Sequence, residues 1–225
     1  MSLRDKNLVP NEYYHIYNRG NGKNKIFLDE EDYSRFIKLL YLCNSEYKIN
    51  FRDLIVNNKI DAFDFERGTS LVSVLAWVLM PNHFHIILIS PRQDLGEIYD
   101  NPIAKFIQKV LTSYSMYFNK KYKRTGSLFE GKFKSKHIGE ENYFNYIFSY
   151  VHLNPIKLIQ SDWKENGIQD IKISTEYLQK FKYSSFQDYL NISRKESKII
   201  NKDLLPEYFH LNHTKELFDW IKQSP

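Results

Sequence analysis

The sequence predicts an α+β fold in which helices pack against one antiparallel β-sheet. Segments of two-residue alternation are interspersed with segments whose apolar residues recur every three to four positions. The 225 residues are 42% hydrophobic and 16% aromatic, a composition that supports a packed core and argues against a disordered chain. Cys43 is the only cysteine, which excludes an intrachain disulfide, and its leucine neighbours indicate a core position.

The first half of the chain is predicted to form a strand, a helix and a hairpin. The first strand covers residues 12–19, and the helix covers 29–42 with Asp29 as its N-cap. Two further strands, 72–80 and 83–89, flank the turn dipeptide Pro81-Asn82. We therefore expect β-α-β-β in this half.

The second half adds a helix, a strand and another helix. An apolar stripe predicts a helix over 95–122, interrupted early by Pro102, and alternation predicts a strand over 127–138. The last helix covers 140–154 and is stopped by Pro155. The first six elements have the βαββαβ order of a ferredoxin-like sandwich.

This order also suggests the domain organisation. Residues 1–158 are expected to form one domain, with a polar excursion at about 44–70. Residues 159–225 are expected to form a partly helical C-terminal extension. We find no apolar run of the ~18 residues that a membrane span needs, and no signal peptide, so a cytoplasmic protein without membrane contact is expected.

A pair of histidines marks the candidate site. His83 and His85 lie one residue apart in the predicted strand 83–89, so both imidazoles leave the same face. Imidazole is a common ligand of divalent metals, and a strand holds two such ligands rigidly. The pair predicts a metal site and leaves the identity of the metal open.

A tyrosine and an asparagine on the last predicted helix could supply a nucleophile and a further metal ligand. Tyr150 and Asn154 are one helical turn apart and share a face, so a phenol and an amide oxygen can approach one site. A phenolate is a competent nucleophile, and the amide oxygen suits Mg²⁺ or Mn²⁺ rather than Zn²⁺. Taken alone, each residue is better explained by packing or by helix termination. Their pairing with the histidines favours a site.

Basic residues concentrate before and within the predicted fourth strand, where Glu130 is the only acid. The net charge of +5 is compatible with a polyanionic partner, and this local row is more specific. The alternative is an edge strand protected by lysine. The candidate DNA-binding residues of this stretch are Lys120, Lys121, Lys123, Arg124, Lys132, Lys134 and Lys136.

Four segments together resemble the Y1 tyrosine transposases, the IS200-like group of HUH endonucleases, and most of all their REP-associated branch. They cover residues 14–20, 80–85, 126–135 and 150–155, with the sequences YHIYNRG, MPNHFH, GSLFEGKFKS and YVHLNP. The resemblance extends over about residues 12 to 158. It implies a ferredoxin-like sheet with the histidine pair on a central strand.

The resemblance also implies an activity on single-stranded or hairpin DNA. His83 and His85 match the HUH pair, Tyr150 matches the nucleophile, and Asn154 matches the polar residue that completes an Mg²⁺ or Mn²⁺ site. The tyrosine would cleave a phosphodiester, forming a 5′-phosphotyrosine and releasing a 3′-hydroxyl. Asn18 and Arg19 are candidate DNA contacts.

Other interpretations stay open from the sequence. The chain can be a non-catalytic nucleic-acid-binding protein on the same fold, or a metal hydrolase whose nucleophile is water. The family includes both monomers and homodimers in which the tyrosine serves the partner's site. His15 and His152 are interpreted as structural histidines.

Overall fold

The computed structural model describes residues 8–48, 50–57, 59–90, 101–209 and 214–220. Four strands form one sheet: β1 (Tyr13–Arg19), β2 (Ser73–Met80), β3 (His83–Ile89) and β4 (Lys134–Ile138). The strand order is β2-β3-β1-β4 and each neighbouring pair is antiparallel. The ferredoxin-like α+β prediction is confirmed.

Two helices cover one face of the sheet. Helix α1 (Glu30–Leu42) begins where the Asp29 carboxylate accepts a hydrogen bond from the Asp32 amide. Helix α2 (Pro102–Lys121) has the same kind of cap, in which Asn101 accepts from the Ala104 amide. The predicted start of this helix at residue 95 lies outside the described residues.

The other face of the sheet carries α3 (Glu141–Leu153). Its apolar side chains form one core cluster with the sheet residues Val78 and Ile87. A 3₁₀ turn, Asn154–Leu158, continues directly from the helix, and Pro155, which has no N–H to donate, lies where the α-helical hydrogen bonding ends. The sheet is thus sandwiched between α1 and α2 on one side and α3 on the other.

The predicted fourth strand is too long. Residues 127–133 form a loop, and only Phe129 bridges to Gly20 before the strand begins at Lys134. Gly126 and Gly131 take positive φ angles of 83° and 68°, which turn the backbone out of an extended path. Lys132 therefore lies outside the strand.

The segment between α1 and β2 has little regular structure. It contains a π-helical turn, Arg52–Asn57, and a 3₁₀ turn, Ala62–Asp64. Phe63 is buried against Tyr41 of α1, with ring centroids 5.3 Å apart. The predicted excursion is thus anchored to the domain at this point.

The C-terminal extension packs on the α3 side and along β2. It contains α4 (Trp163–Asn166), α5 (Ile171–Lys180), α6 (Phe186–Tyr189) and α7 (Thr214–Trp220), with 3₁₀ turns at Lys195–Ile199 and Lys202–Leu204. The Leu79 amide donates to the Tyr183 carbonyl at 2.9 Å, and the Asn201 amide donates to the Val74 carbonyl at 2.8 Å. These bonds cover the outer edge of β2. The division at residue 158 remains a prediction. Within the described part of the chain, no helix is both long and apolar enough to cross a bilayer.

Candidate active site

The strand register determines which side chains meet on the α3 face. In the β1–β3 ladder Arg19 lies opposite His83, and Tyr17 lies opposite His85. His15 is the diagonal neighbour of His85 on the same face. The two histidines predicted from the sequence thus lie beside aromatic side chains of β1.

Helix α3 brings the predicted tyrosine to this face. The Tyr150 ring meets the His85 ring edge to face, with centroids 5.3 Å apart and an angle of 81° between the planes. Asn154 follows one turn later and is buried. The Asn154 side chain interacts with both His83 and Tyr150 and shifts the pKa of each. The four predicted residues His83, His85, Tyr150 and Asn154 therefore come together on one face of the sheet.

Each of the two histidines uses its Nδ1 in a hydrogen bond, and its Nε2 takes no part in that bond. His83 Nδ1 lies 2.6 Å from the Asn82 amide oxygen, which can only accept, so Nδ1 carries the proton. His85 Nδ1 lies 2.8 Å from His15 Nε2. In the part of the chain that the structure describes, His85 Nε2 is buried without a hydrogen-bond partner, and so is Asn154 Oδ1.

Unpartnered buried polar atoms are uncommon, and a bound cation would satisfy both of these. Two imidazole nitrogens and one amide oxygen fit a divalent metal that also binds phosphate oxygens and water. No group of three or more His, Cys, Asp or Glu side chains in the described residues forms a metal site. A metal at this place thus needs a ligand of another type, and the amide oxygen of Asn154 is the candidate.

Burial determines the protonation of the site. Desolvation lowers the pKa of His83 to about 4, against an opposing interaction with Asn154, and lowers the pKa of His15 to about 3. Desolvation also lowers the pKa of His85, reinforced by the neighbouring His15. The rings are therefore neutral near pH 7, the state in which imidazole binds metals. Desolvation raises the pKa of Tyr150, which keeps its phenol protonated.

A cavity of about 550 Å³ is lined by His83, His85 and Tyr150. Four cations line it: Arg19, Lys23, Lys134 and Lys157. A fifth cation, Lys164, holds its ammonium 4.1 Å from the centre of the Tyr150 ring. The cavity is therefore electropositive and can receive a phosphate group.

The predicted basic stretch divides into two groups. Lys134 lies opposite Tyr17 and Lys136 opposite His15, so both share the histidine face, and Lys136 covers the Tyr143 ring at 4.0 Å. Of the two, only Lys134 lines the cavity. The remaining residues of the stretch lie away from it: they are Lys120, Lys121, Lys123, Arg124 and Lys132. The first four belong to the end of α2 and the loop after it, and α2 packs on the other face of the sheet.

Lys121 is surrounded by carboxylates and a tyrosine hydroxyl at the α1–α2 interface. Its ammonium contacts the carboxylates of Asp29, Glu31 and Asp32 at 2.8–3.0 Å and the Tyr117 hydroxyl at 3.0 Å. Asp32 is fully buried, so the lysine neutralises a charge at the α1–α2 interface. Contact of Lys121 with DNA remains a prediction that the geometry does not favour.

Asn18 and Arg19 line the cavity but are also engaged with the loop before β4. The Asn18 amide donates to the Gly131 carbonyl at 3.3 Å, and the Arg19 guanidinium pairs with Glu130, with one N–O distance of 2.9 Å. Arg19 is half exposed and faces solvent as well. Both residues thus hold the loop at the cavity, and their contact with DNA remains a prediction.

Comparison with known proteins supports the architecture. No protein-family model matches this sequence, and no curated protein sequence matches it. A solved structure of a REP-associated tyrosine transposase bound to a REP hairpin is similar, with a TM-score of 0.51 and 12% identity, over 94% of this chain and 96% of that one. This likeness shows the fold. A tRNA(His) guanylyltransferase from Saccharomyces cerevisiae, at a TM-score of 0.31 and 15% identity over 90% of this chain and 84% of that one, carries no argument.

Several site residues escaped the sequence reasoning. His15 and Tyr17 alternate on β1 as His83 and His85 do on β3. In a βαββαβ sandwich the first and third strands are neighbours, so this alternation could have indicated that the four side chains meet. Lys157 follows Asn154 by three residues. Trp163, whose ring stacks at 6.3 Å on Tyr150, and Lys164 gave no signal, because they belong to the extension beyond the recognised motifs.

Proposed function

We propose that this chain is a metal-dependent single-stranded DNA endonuclease and strand transferase with Tyr150 as its nucleophile. The observation that carries the proposal is the contact of Tyr150 with His85, whose buried Nε2 has no hydrogen-bond partner among the described residues. A tyrosine nucleophile beside a potential metal-ligand nitrogen, in an electropositive cavity, fits the cleavage of a phosphodiester.

The chain's own residues would hold and orient the reacting groups. The Tyr150 Oη would bond to phosphorus, the P–O3′ bond would break, and the leaving 3′-oxygen would take up a proton while water receives the phenol proton. A divalent cation held by His83, His85 and Asn154 would polarise the scissile phosphate and neutralise developing charge. Reversal by a 3′-hydroxyl would reseal the strand, because the phosphotyrosine bond retains the energy.

The cations around the cavity support a nucleic-acid substrate. Lys134, Lys157 and Arg19 lie within one cavity, and a phosphate backbone needs such a row of positive charges. The transposase of similar fold was solved with a REP hairpin, which makes hairpin-bearing DNA the substrate to test first. A cytoplasmic location and a homodimeric state remain predictions.

The proposal is tested with a hairpin oligonucleotide that carries a labelled single-stranded flank. In Mn²⁺, we expect a protein–DNA adduct that survives denaturation, and its loss in Tyr150→Phe. Tyr146→Phe is the matched control, because Tyr146 lies one turn earlier on α3 and stacks on Tyr150 at 6.3 Å. The control should form the adduct as the wild type does.

Two other outcomes identify the alternatives. Cleavage that persists in Tyr150→Phe would indicate a water nucleophile and a metal hydrolase. Tight hairpin binding by the wild type without any cleavage would indicate a non-catalytic DNA-binding protein. Either result would overturn the proposed tyrosine mechanism.

A further inference from the structure

His15 is the one partner that His85 has in a hydrogen bond among the described residues. The distance from His15 Nε2 to His85 Nδ1 is 2.8 Å, and the rings are nearly coplanar, with 19° between their planes. Both side chains are buried, with 5% and 7% of their surface exposed. The bond is thus shielded from water, which would otherwise compete for either nitrogen.

The direction of this hydrogen bond decides what His85 can do. A neutral imidazole has one N–H and one lone pair. If His85 donates from Nδ1, its Nε2 carries a lone pair. If His15 donates instead, Nε2 of His85 carries the proton and cannot bind a metal. Only the first arrangement turns the unpartnered Nε2 into a ligand.

The second histidine of the pair provides a direct comparison. His83 donates from Nδ1 to the Asn82 amide oxygen at 2.6 Å, which leaves its Nε2 with the lone pair. Metal-binding histidines in general donate their other N–H to an acceptor that fixes tautomer and ring orientation. His15 occupies, for His85, the position that Asn82 occupies for His83.

We propose that His15 is a positioning residue that accepts the Nδ1 proton of His85 and so keeps the Nε2 lone pair of His85 directed at the metal site. This inference rests on the proposed function, in which His85 is a metal ligand. The His15 ring is itself held by the Tyr17 ring, with centroids 4.9 Å apart and 23° between the planes. Packing around the His15 ring on β1 therefore also fixes the orientation of the His85 ring on β3.

The first test needs no metal. In metal-free protein labelled with ¹⁵N-histidine, long-range ring correlations report which nitrogen of His85 carries the proton. We expect Nδ1–H in the wild type and a substantial Nε2–H population in His15→Phe. In His15→Gln, whose amide oxygen reaches the position of Nε2, we expect Nδ1–H to be retained. Nε2–H in the wild type would overturn the inference and leave the tyrosine mechanism standing.

The second test measures Mn²⁺ affinity in the absence of DNA, by titration calorimetry. His15→Phe should bind Mn²⁺ about 10–100-fold more weakly than the wild type, and His15→Gln should recover most of the affinity. His152→Gln is the control for a buried histidine outside the cavity and should bind as the wild type does. Equal affinity in wild type and His15→Phe would overturn the inference alone, whereas no binding by the wild type would also overturn the proposed metal site.

Discussion

Tyr150 on α3 and His85 on β3 meet edge to face, with ring centroids 5.3 Å apart, across the interface between the helix and the sheet. They are 65 positions apart in the chain, and their contact exists only because α3 packs on the face of the sheet that His83 and His85 share. A candidate nucleophile and a candidate metal ligand thus meet at one edge of a 550 Å³ cavity.

The Lys164 ammonium should contribute to the rate of cleavage. It lies 4.1 Å from the Tyr150 ring centre, close enough for its positive charge to act on a phosphate bound beside that ring. We expect Lys164→Gln to lower the single-turnover cleavage rate about tenfold, equivalent to about 1.4 kcal/mol. Lys172→Gln makes the same change of charge on the exposed surface of α5 and should cleave normally. A rate in Lys164→Gln equal to the control would contradict this role.

Asn154 should determine metal affinity through its amide oxygen. Because Oδ1 is buried without a partner among the described residues, Asn154→Ala removes a candidate ligand atom, together with the interactions of the amide with His83 and Tyr150. We expect Mn²⁺ affinity, measured by electron paramagnetic resonance, to fall at least tenfold, while Asn154→Asp keeps an oxygen ligand and binds. Asn142→Ala, at an exposed position of the same helix, is the control. Unaltered affinity in Asn154→Ala would exclude the residue as a ligand.

The two halves of the basic stretch should behave differently. Lys134→Ala/Lys136→Ala should reduce the slope of log affinity against log salt by about 0.7 per lost contact with single-stranded DNA. Lys121→Ala should leave that slope unchanged and lower the free energy of unfolding by about 1–3 kcal/mol, because the buried Asp32 loses its cation. A salt slope altered in Lys121→Ala would instead place this lysine at the DNA.

The fold could be predicted from local patterns, but the full site could not. Alternation on β3 and the four-residue spacing of Tyr150 and Asn154 predict faces, and the βαββαβ order predicts that β1 neighbours β3. The engagement of Lys121 was not predictable, since its acidic partners lie about 90 residues earlier on α1. The hydrogen bond of His15 depends on the register between β1 and β3. Alternation does not determine this register, because a shift by two residues keeps every side chain on the same face of the sheet.

His152 should make stability depend on pH. It is fully buried, with Nδ1 3.0 Å from the Phe148 carbonyl and Nε2 2.8 Å from Ser185 Oγ, and desolvation lowers its pKa to about 3. The unfolded chain binds this proton near pH 6.5, so the stabilisation present above pH 6.5 is lost as the pH falls. Between pH 7 and pH 5 this single histidine should lower the free energy of unfolding by about 2 kcal/mol.

Urea unfolding of the wild type and of His152→Gln at both pH values checks this. The variant should lose about 2 kcal/mol less than the wild type between pH 7 and pH 5, whatever its stability at pH 7. An equal loss of unfolding free energy in the two proteins would show that His152 is protonated in the folded state or does not contribute to the pH dependence.

In the proposed mechanism Tyr150 becomes covalently attached to DNA. The most direct measurement is mass spectrometry of the adduct formed with a hairpin oligonucleotide in Mn²⁺, after digestion with nuclease and protease. We expect a nucleotide mass on the peptide that contains Tyr150, and we expect fragmentation of that peptide to locate the nucleotide on the Tyr150 side chain through a 5′-phosphate. A nucleotide on another residue, or cleaved DNA without any modified peptide, would contradict it.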